Sequence, residues 1–273
     1  MDRDERAHPD VGPAFLLAFG TSTEWCGVAL QWRDPSGRLR CDALAEKAGQ
    51  AHSRLALEMA RVLLGEAGQE LSAVQAIAFD AGPGSFTGLR IGCGIAQGLG
   101  FALGRPVIPV ASLEALALQA DCPTVLVALD ARMGEVYCAA YRVDRGGAKA
   151  LGPLRVLAPG EAARELLAQL GAGGGAVAIG DAFARHEPLA RAMRGRGIAV
   201  RGDAFPRADA IAAAGWRRLA FGDVVDAAQA APLYVRDKVA LDVDEQRRLR
   251  AQRAALAAAL ASGEPVQATA GRG

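Results

Sequence analysis

Residues 79–104, the stretch that decides the fold, read FDAGPGSFTGLRIGCGIAQGLGFALG. The apolar residues 74–79 predict a buried strand that ends at a Gly-Pro-Gly turn. Ser85 or Thr87 then offers a hydroxyl to cap a helix that runs to Gly104. This order favours an anion-binding shape, although the loop lacks the lysine of a P-loop. The candidate anion-contacting residues are Gly82, Gly84, Ser85 and Thr87.

The predicted helix carries a ridge of small residues, one at every fourth position. Each glycine inside a helix costs about 0.8–1 kcal/mol relative to alanine, so the ridge predicts close packing against another element. That element is either a helix of a partner chain or the chain's own sheet. For the partner alternative, the candidate interface also includes one face of the preceding helix. The interface residues are His52, Leu55, Met59, Gly88, Gly92, Ala96 and Gly100.

Length, charge and cysteine content narrow the class of protein. The chain has 273 residues and a net charge of +1, which gives no electrostatic reason for wrapping nucleic acid. Its five cysteines are dispersed without a Cys-x-x-Cys pair, as expected for buried thiols in a reducing compartment. Neither a signal peptide nor an apolar run of about 18 residues is present. We therefore expect a cytoplasmic protein.

The order of predicted elements is typical of an α/β fold with two ribonuclease H-like units. Three strands, then alternating helices and strands, open the chain, and a second strand pair begins near Thr124. The predicted strands are 14–19, 27–33, 38–46, 74–79, 107–110, 125–129, 136–143, 154–157 and 176–179. The predicted helices are 51–67, 85–104, 161–170 and 208–221, with a further helix from Ser112.

These elements predict the domain organisation. A disordered N-terminus covers residues 1–13, and a first ribonuclease H-like domain covers 14–122. A smaller second domain covers 123–240, with packing of its last helix back on the first domain left open. A helical extension and tail cover 241–273.

Asp130, Arg132 and Glu135 form the best polar cluster outside the glycine loop. They surround the predicted hairpin turn between strands 125–129 and 136–143. Two interpretations stand: the side chains hold the hairpin together through a salt bridge and turn hydrogen bonds, or they contact a partner or a nucleotide.

Several segments together resemble the TsaB (YeaZ) family of tRNA threonylcarbamoyladenosine biosynthesis proteins. They are Phe19-Gly-Thr-Ser-Thr-Glu, Ala51-His-Ser, Ala81-Gly-Pro-Gly-Ser-Phe-Thr-Gly-Leu-Arg-Ile-Gly, Pro109-Val-Ala-Ser-Leu-Glu-Ala-Leu and Leu129-Asp-Ala-Arg-Met-Gly-Glu-Val-Tyr. The resemblance spans residues 14–239. It implies a fold of the actin, Hsp70 and sugar-kinase type, with the second ribonuclease H-like domain reduced.

The resemblance also implies a function. A TsaB-like chain is a non-catalytic partner of a TsaD-like catalytic paralogue. With a TsaE-like ATPase, the pair transfers threonylcarbamoyl to the adenosine next to the anticodon in ANN-decoding tRNAs. The tRNA is then bound only through the complex, no membrane is involved, and a homodimer is an alternative assembly for the chain alone. No cofactor is expected, with a residual ATP or ADP contact inside the complex left open.

Four positions bear on catalysis by this chain itself. Ser112 and Leu116 stand where TsaD-like chains carry a metal-binding histidine pair, and leucine cannot ligate a metal. Gly20 replaces the aspartate that TsaB-like chains usually keep there, while Asp80 adds a carboxyl group nearby. The alternative function is an independent actin-like ATPase or kinase, or a metallopeptidase-like enzyme, and only the glycine loop supports it.

Overall fold

The computed structural model describes residues 14–170 and 175–235. The first sheet has the strand order β3-β2-β1-β4-β5, in which β1, β2 and β3 are antiparallel and β4 and β5 run parallel to β1. Its strands are β1 (Phe15–Gly20), β2 (Trp25–Arg33), β3 (Leu39–Lys47), β4 (Val74–Gly82) and β5 (Val107–Ala111). This is the topology of a ribonuclease H-like unit.

The second sheet repeats that topology. Its strand order is β11-β10-β6-β7-β8, with β7 antiparallel and β10 parallel to the central β6, and β9 also pairs with β7. Its strands are β6 (Thr124–Arg132), β7 (Glu135–Asp144), β8 (Gly147–Ala150), β9 (Arg155–Leu157), β10 (Ala176–Ile179) and β11 (Ala199–Arg201).

Seven α-helices cover the faces of these sheets in the described part of the chain. They are α1 (His52–Glu66), α2 (Phe86–Leu103), α3 (Ser112–Ala117), α4 (Pro159–Gln169), α5 (Ala182–Arg185), α6 (Glu187–Arg194) and α7 (Ala208–Phe221). Helices α1 and α2 pack on one face of the first sheet, and α4, α5 and α6 on one face of the second.

The inner strands β1 and β4 of the first sheet are apolar on both faces because helices cover both, whereas the edge strand β3 is mostly exposed. Every residue of β1 is buried. Leu17 and Phe19 face the core beneath α1 and α2, whereas Leu16 and Ala18 face α7. A continuous apolar strand of this kind is expected where a central strand is covered on both sides.

Helices α3 and α7 connect the two sheets. Leu113 and Leu116 of α3 are fully buried against β6 and β7 of the second sheet. Helix α7 follows the second sheet in the sequence, yet it packs across all five strands of the first sheet. Gly215 permits this approach, since a Cβ there would lie 2.8 Å from the Cβ of Ala78.

The fold class predicted from the sequence is confirmed, since both sheets have the predicted topology. Predicted strand 176–179 and helix 208–221 have the observed bounds. The sequence missed β8, α5, α6 and β11. The domain boundaries at residues 122 and 240 stay predictions. The predicted N-terminus 1–13 and the predicted extension 241–273 lie outside the described residues, as do residues 171–174.

Candidate functional site

The glycine ridge of α2 lies against the turn between β1 and β2. A Cβ at Gly88 would stand 2.0 Å from the carbonyl oxygen of Thr21, and one at Gly92 would stand 2.6 Å from Thr21 Oγ1. The Thr21 hydroxyl donates a hydrogen bond of 2.8 Å to the Gly88 carbonyl. These glycines therefore let the chain's own turn approach the helix backbone.

The rest of the ridge is also covered by this chain. Ala96 is fully buried in the first core, and a Cβ at Gly100 would lie 2.8 Å from Val107 and 2.9 Å from Ala227. Of the two alternatives for the ridge, the structure shows contact with the chain's own sheet. The assignment of Gly88, Gly92, Ala96 and Gly100 to a partner interface is therefore corrected, because no partner backbone has room to reach them.

The α1 residues chosen for the interface also point inward. Met59 is buried in the first core, and Leu55 packs against it. His52 is buried at the start of α1, with its Nε2 2.9 Å from the carbonyl oxygen of Thr23. This bond ties α1 to the turn after β1. The burial of His52 and Met59 corrects their choice, whereas Leu55 is half-buried and its assignment to the interface stays a prediction.

The Gly-Pro-Gly loop uses its hydrogen-bond donors within the chain. The Ser85 N–H donates to the Ser22 carbonyl at 2.7 Å, and the Gly82 N–H donates to Asp80 Oδ1 at 3.1 Å. Ser85 caps α2, as predicted, by accepting a bond of 3.3 Å from the Gly88 N–H. Gly84 is pressed against Ser22, and Thr87 is exposed. The N–H groups of Gly82, Ser85 and Gly88 are therefore engaged within the chain, and contact of the loop with an anion stays a prediction.

Asp80 is the buried centre of this carboxyl edge of the first sheet. Its two carboxylate oxygens accept hydrogen bonds from the hydroxyls of Ser22 and Ser112. Burial raises the pKa of Asp80 to about 6, against the opposing effect of these hydroxyls and of the Gly82 N–H. Three separate chain segments are thus joined through one carboxyl group.

The positions that bear on catalysis are filled by packing. A Cβ at Gly20 would meet Ile211 Cδ1 at 3.1 Å and the Pro206 carbonyl at 3.4 Å, so an acidic side chain has little room there. Ser112 is fully buried beside Asp80, and Leu116 is fully buried between α3 and the second sheet. Within residues 14–170 and 175–235, no group of three His, Cys, Asp or Glu side chains could hold a metal ion.

The carboxyl edge of the second sheet carries charged side chains. Asp130 lies at the end of β6, 3.2 Å from His186 Nε2 and 3.4 Å from Arg132 Nη1. Glu135 lies opposite Arg132 in the strand register. Of the three residues predicted here, the structure thus pairs Asp130 with Arg132, as the hairpin interpretation expects. Contact with a partner or a nucleotide stays a prediction.

Sequence reasoning missed the other half of this edge. Asp181 follows β10, and its Oδ1 accepts a hydrogen bond of 2.9 Å from the Asp130 N–H. Arg185 Nε donates to Asp181 Oδ2 at 3.0 Å and lies 4.0 Å from Asp130 Oδ2. Because carboxyl ends of neighbouring parallel strands meet at one edge, the Gly-Asp after strand 176–179 was a usable signal.

The outer face of α1 and α2 carries an open groove of about 420 Å³. Ser53 and Leu57 of α1 line one wall, and Ile91, Ile95 and Leu99 of α2 line the other, together with Arg90, Gly94 and Gly98. A Cβ at Gly94 or Gly98 would meet none of the described residues within 4 Å. The spacing of four residues between these two glycines was visible in the sequence, one helix face away from the ridge.

A segment after α7 runs along α2 to the end of this groove. Val225 pairs with Val107, and the Ala230 carbonyl accepts a hydrogen bond of 3.0 Å from Gln97 Nε2. The Leu233 N–H then bonds to the Ala81 carbonyl. We call residues 225–235 the strap. It ends beside the N-terminus of α2, at the groove residue Arg90.

Comparisons with known proteins identify the family. The family model for TsaD, described as tRNA N6-adenosine threonylcarbamoyltransferase, matches residues 44–255. The solved structure of YeaZ from Pseudomonas aeruginosa is 37% identical with a TM-score of 0.69, and the match covers 81% of this chain and 99% of that one. The chain belongs to the TsaB (YeaZ) family.

Further similar proteins support the same family assignment. A second Pseudomonas aeruginosa crystal structure, described as similar to the peptidase YeaZ, is also 37% identical, with a TM-score of 0.71 over 82% of this chain and 100% of that chain. TsaB of Haemophilus influenzae is 45% identical over 45% of this chain and 51% of the relative. TsaB of Escherichia coli is 43% identical over 48% and 57%. The chain spans about half the length of the curated relatives it matches.

Proposed function

We propose that this chain is the non-catalytic partner of a TsaD-family catalytic chain. With a TsaE-like ATPase, the pair would attach threonylcarbamoyl to N6 of the adenosine next to the anticodon in ANN-decoding tRNAs. The names of the curated relatives support this proposal, since they are called tRNA threonylcarbamoyladenosine biosynthesis proteins. In this proposal the tRNA is bound only through the complex, and the chain acts in the cytoplasm.

The observation that carries the proposal is the groove between α1 and α2. Gly94 and Gly98 lie inside a helix, where each costs about 0.8–1 kcal/mol relative to alanine. The inner glycines of α2 are explained by contacts with this chain, whereas no contact of the described residues explains these two. A helix of another chain that packs closely against α2 does explain them, because interhelical distance depends on side-chain size.

Exposed apolar side chains also support a partner-binding role of the groove. Leu57 is 51% exposed and lines the groove, and Phe101, one turn beyond Gly98 on α2, is 64% exposed. Among the described residues, no helix is long and apolar enough to cross a membrane. Contiguous exposed apolar side chains are typical of protein interaction sites.

Packing around the positions that bear on catalysis supports a non-catalytic role. Gly20 has neighbours where a carboxylate would project, and Leu116 is fully buried. The donors at Gly82, Ser85 and Gly88 have acceptors within the chain. These features support a chain that acts through binding.

The test is to fill the groove with a side chain at Gly94, one of the residues that line it. Gly94→Leu adds a side chain in open space, so the variant should fold at least as stably as the wild type. It should bind the TsaD-family chain of the same organism at least about tenfold more weakly, a loss typical of changes at the centre of an interface. Titration calorimetry and thermal unfolding measure the two effects.

Gly65→Leu is the matched control. Gly65 lies in α1, also in open space, but does not line the groove, so its variant should keep wild-type affinity. If Gly94→Leu binds as tightly as the wild type, the groove is not the interface. Steady ATP turnover by the purified chain, abolished by Asp130→Asn, would contradict the non-catalytic role.

A further inference from the structure

Strand β3 (Leu39–Lys47) is the outermost strand of the first sheet, and its outer side is unpaired among the described residues. It pairs with β2 on its inner side only. The other outermost strands are shorter or covered. Strands β8 and β11 have 4 and 3 residues, and Val107 of β5 pairs with Val225 of the strap. The nine residues of β3 therefore offer the longest template for a further strand.

Strand β3 lacks most of the features that keep an edge strand from pairing. All of its residues pair with β2 without a bulge, and it contains no proline. Except for half-buried Leu44, its residues are exposed. Its remaining protection is charge, carried by Arg40, Asp42, Glu46 and Lys47. The effect of these charges on a further strand depends on the register in which that strand pairs.

The hydrogen bonds to β2 determine which backbone groups of β3 face outward. At one end of the hairpin, the Asp34 N–H donates to the Arg38 carbonyl at 2.9 Å. At the other end, the Ala48 N–H donates to the Glu24 carbonyl at 3.0 Å. Since bonded positions alternate in an antiparallel pair, the even-numbered residues of β3 bond to β2. The outward N–H and C=O groups, which have no hydrogen-bond partner among the described residues, belong to Leu39, Cys41, Ala43, Ala45 and Lys47.

We propose that β3 pairs antiparallel with β3 of a second copy of this chain, about a twofold axis at Ala43. Outward backbone groups then meet outward backbone groups, so the odd-numbered residues form the hydrogen-bonded pairs. Cys41 lies opposite Ala45 of the second copy, and all nine residues of each strand are paired. The inference does not rest on the proposed function, because no residue of β3 lines the groove.

The charges of β3 favour this register. The even-numbered residues form the non-hydrogen-bonded pairs, in which the side chains are closest. Arg40 then lies opposite Glu46 of the second copy, and the symmetry makes this pair twice. Both side chains are exposed, and neither forms an ion pair within residues 14–170 and 175–235. Opposite charges across a strand pair are stabilising, so the second copy supplies each with a partner.

Neighbouring registers are less favourable. An axis at Asp42 would place two Asp42 carboxylates opposite each other, and an axis at Leu44 would place Asp42 opposite Glu46. An axis between two residues would set outward groups against groups that already bond to β2. The axis at Ala43 uses the whole strand and opposes no like charges. The charges that usually protect an edge strand therefore select a second copy here.

The first test measures self-association of the full chain by sedimentation. One strand from each copy makes a small contact, so we expect a weak dimer. Ala43→Pro removes the central outward N–H but leaves the bonds to β2, so the dimer should weaken at least about tenfold while the fold is kept. Gly94→Leu, which fills the groove, should associate as the wild type does. Loss of the dimer in Gly94→Leu but not in Ala43→Pro would overturn the inference.

An exchange of charges tests the register. Arg40→Glu and Glu46→Arg each create two like-charge pairs in their own dimer, so each alone should associate at least about tenfold more weakly than the wild type. An equimolar mixture of these two variants regains both opposite-charge pairs and should associate as the wild type does. Arg164→Glu, an equal charge change at an exposed position of α4, should have no effect. If the mixture associates no better than either variant alone, the proposed pairing is wrong.

Amide hydrogen exchange, followed by NMR, locates the contact. On association the amides of Cys41, Ala43 and Ala45 should exchange more slowly, whereas those of Asp42 and Leu44, already bonded to β2, should change little. Protection of the odd-numbered amides in the monomer would mean that another segment of this chain covers β3, and would overturn the inference. So would a wild-type chain that stays monomeric up to about 0.1 mM. Ala43→Pro should bind the TsaD-family chain as the wild type does, so either proposal can fail while the other stands.

Discussion

The two sheets share one topology, but the acidic side chains at their carboxyl edges differ in burial and in hydrogen-bond partners. At the first edge Asp80 is fully enclosed and is held by serine hydroxyls. At the second edge Asp130 lies between His186 and the arginines, and Arg132 is 76% exposed there. Close packing of a turn on glycine closes the first edge, whereas at the second edge Asp130 is 11% exposed and the arginines that face it reach water.

The same strand topology can therefore end either in a buried contact between chain segments or in a cluster of ion pairs. The first edge needs small residues at Gly84, Gly88 and Gly92 so that Thr21 and Ser22 can cover it. The second edge also has a glycine at positive φ after β10, Gly180, but it ends in charged side chains rather than a covering turn. Side chains at a few positions therefore decide which edge excludes water.

The most direct way to disrupt the packing of the Thr21 turn on α2, which closes the first edge, is Gly88→Ala. The added Cβ would stand 2.0 Å from the Thr21 carbonyl oxygen, so the turn or the helix must move. We expect the free energy of unfolding to fall by about 2–4 kcal/mol, measured by urea denaturation. Gly94→Ala, in open space on the same helix, should instead raise it by about 0.5–1 kcal/mol. Equal effects of the two variants would contradict the closure.

The cost of the enclosed carboxyl group is tested by Asp80→Asn. Burial raises the pKa of Asp80 from 3.8 to about 6, so the folded chain binds this proton more tightly than the unfolded chain does. The stabilisation that this gives is complete below about pH 4 and is lost as the pH rises through about 6.

The Asp80→Asn variant should therefore show a flatter pH dependence of unfolding between about pH 4 and pH 6. At pH 8 it should be more stable than the wild type by about 1–3 kcal/mol. Asp121→Asn, which changes an exposed carboxyl group, should leave the stability at pH 8 within about 0.5 kcal/mol of the wild type. A less stable Asp80→Asn at pH 8 would show that the charge is needed for folding.

At the second edge, removing the carboxylate charge should lower the free energy of unfolding rather than raise it, and by a smaller amount. Asp130→Asn removes the charge that faces His186 and Arg132, so unfolding should become easier by about 0.5–1 kcal/mol. The loss should shrink in high salt, since salt screens exposed ion pairs. Chemical denaturation at low and high NaCl measures it. An increase in stability would make the two edges alike and remove the contrast.

The fold could be predicted because its signals are local. Alternating strands and helices, the Ser85 cap and the glycine spacing of α2 are all read within short windows. The missed elements β8, α5, α6 and β11 have 4, 4, 8 and 3 residues, so their periodic signal is weak.

The site could not be predicted to the same degree, since it depends on contacts between distant segments. Gly88 and Arg90 are two residues apart, so they point about 200° apart around the helix. Both of these faces carry glycines, and only the contact with Thr21 decides which one is inward. Likewise, Asp130 and Asp181 become neighbours only because β6 and β10 run in parallel.

The position of α7 has a consequence for synthesis of the chain on the ribosome. The first sheet is complete in sequence at β5, yet the helix that covers its second face ends at Phe221, more than a hundred residues later. At about 5–20 residues per second, that apolar face stays uncovered for roughly 5–20 s after β5 has been made. Newly made chains should therefore depend on chaperones during this interval, and a chain that stops before α7 should aggregate.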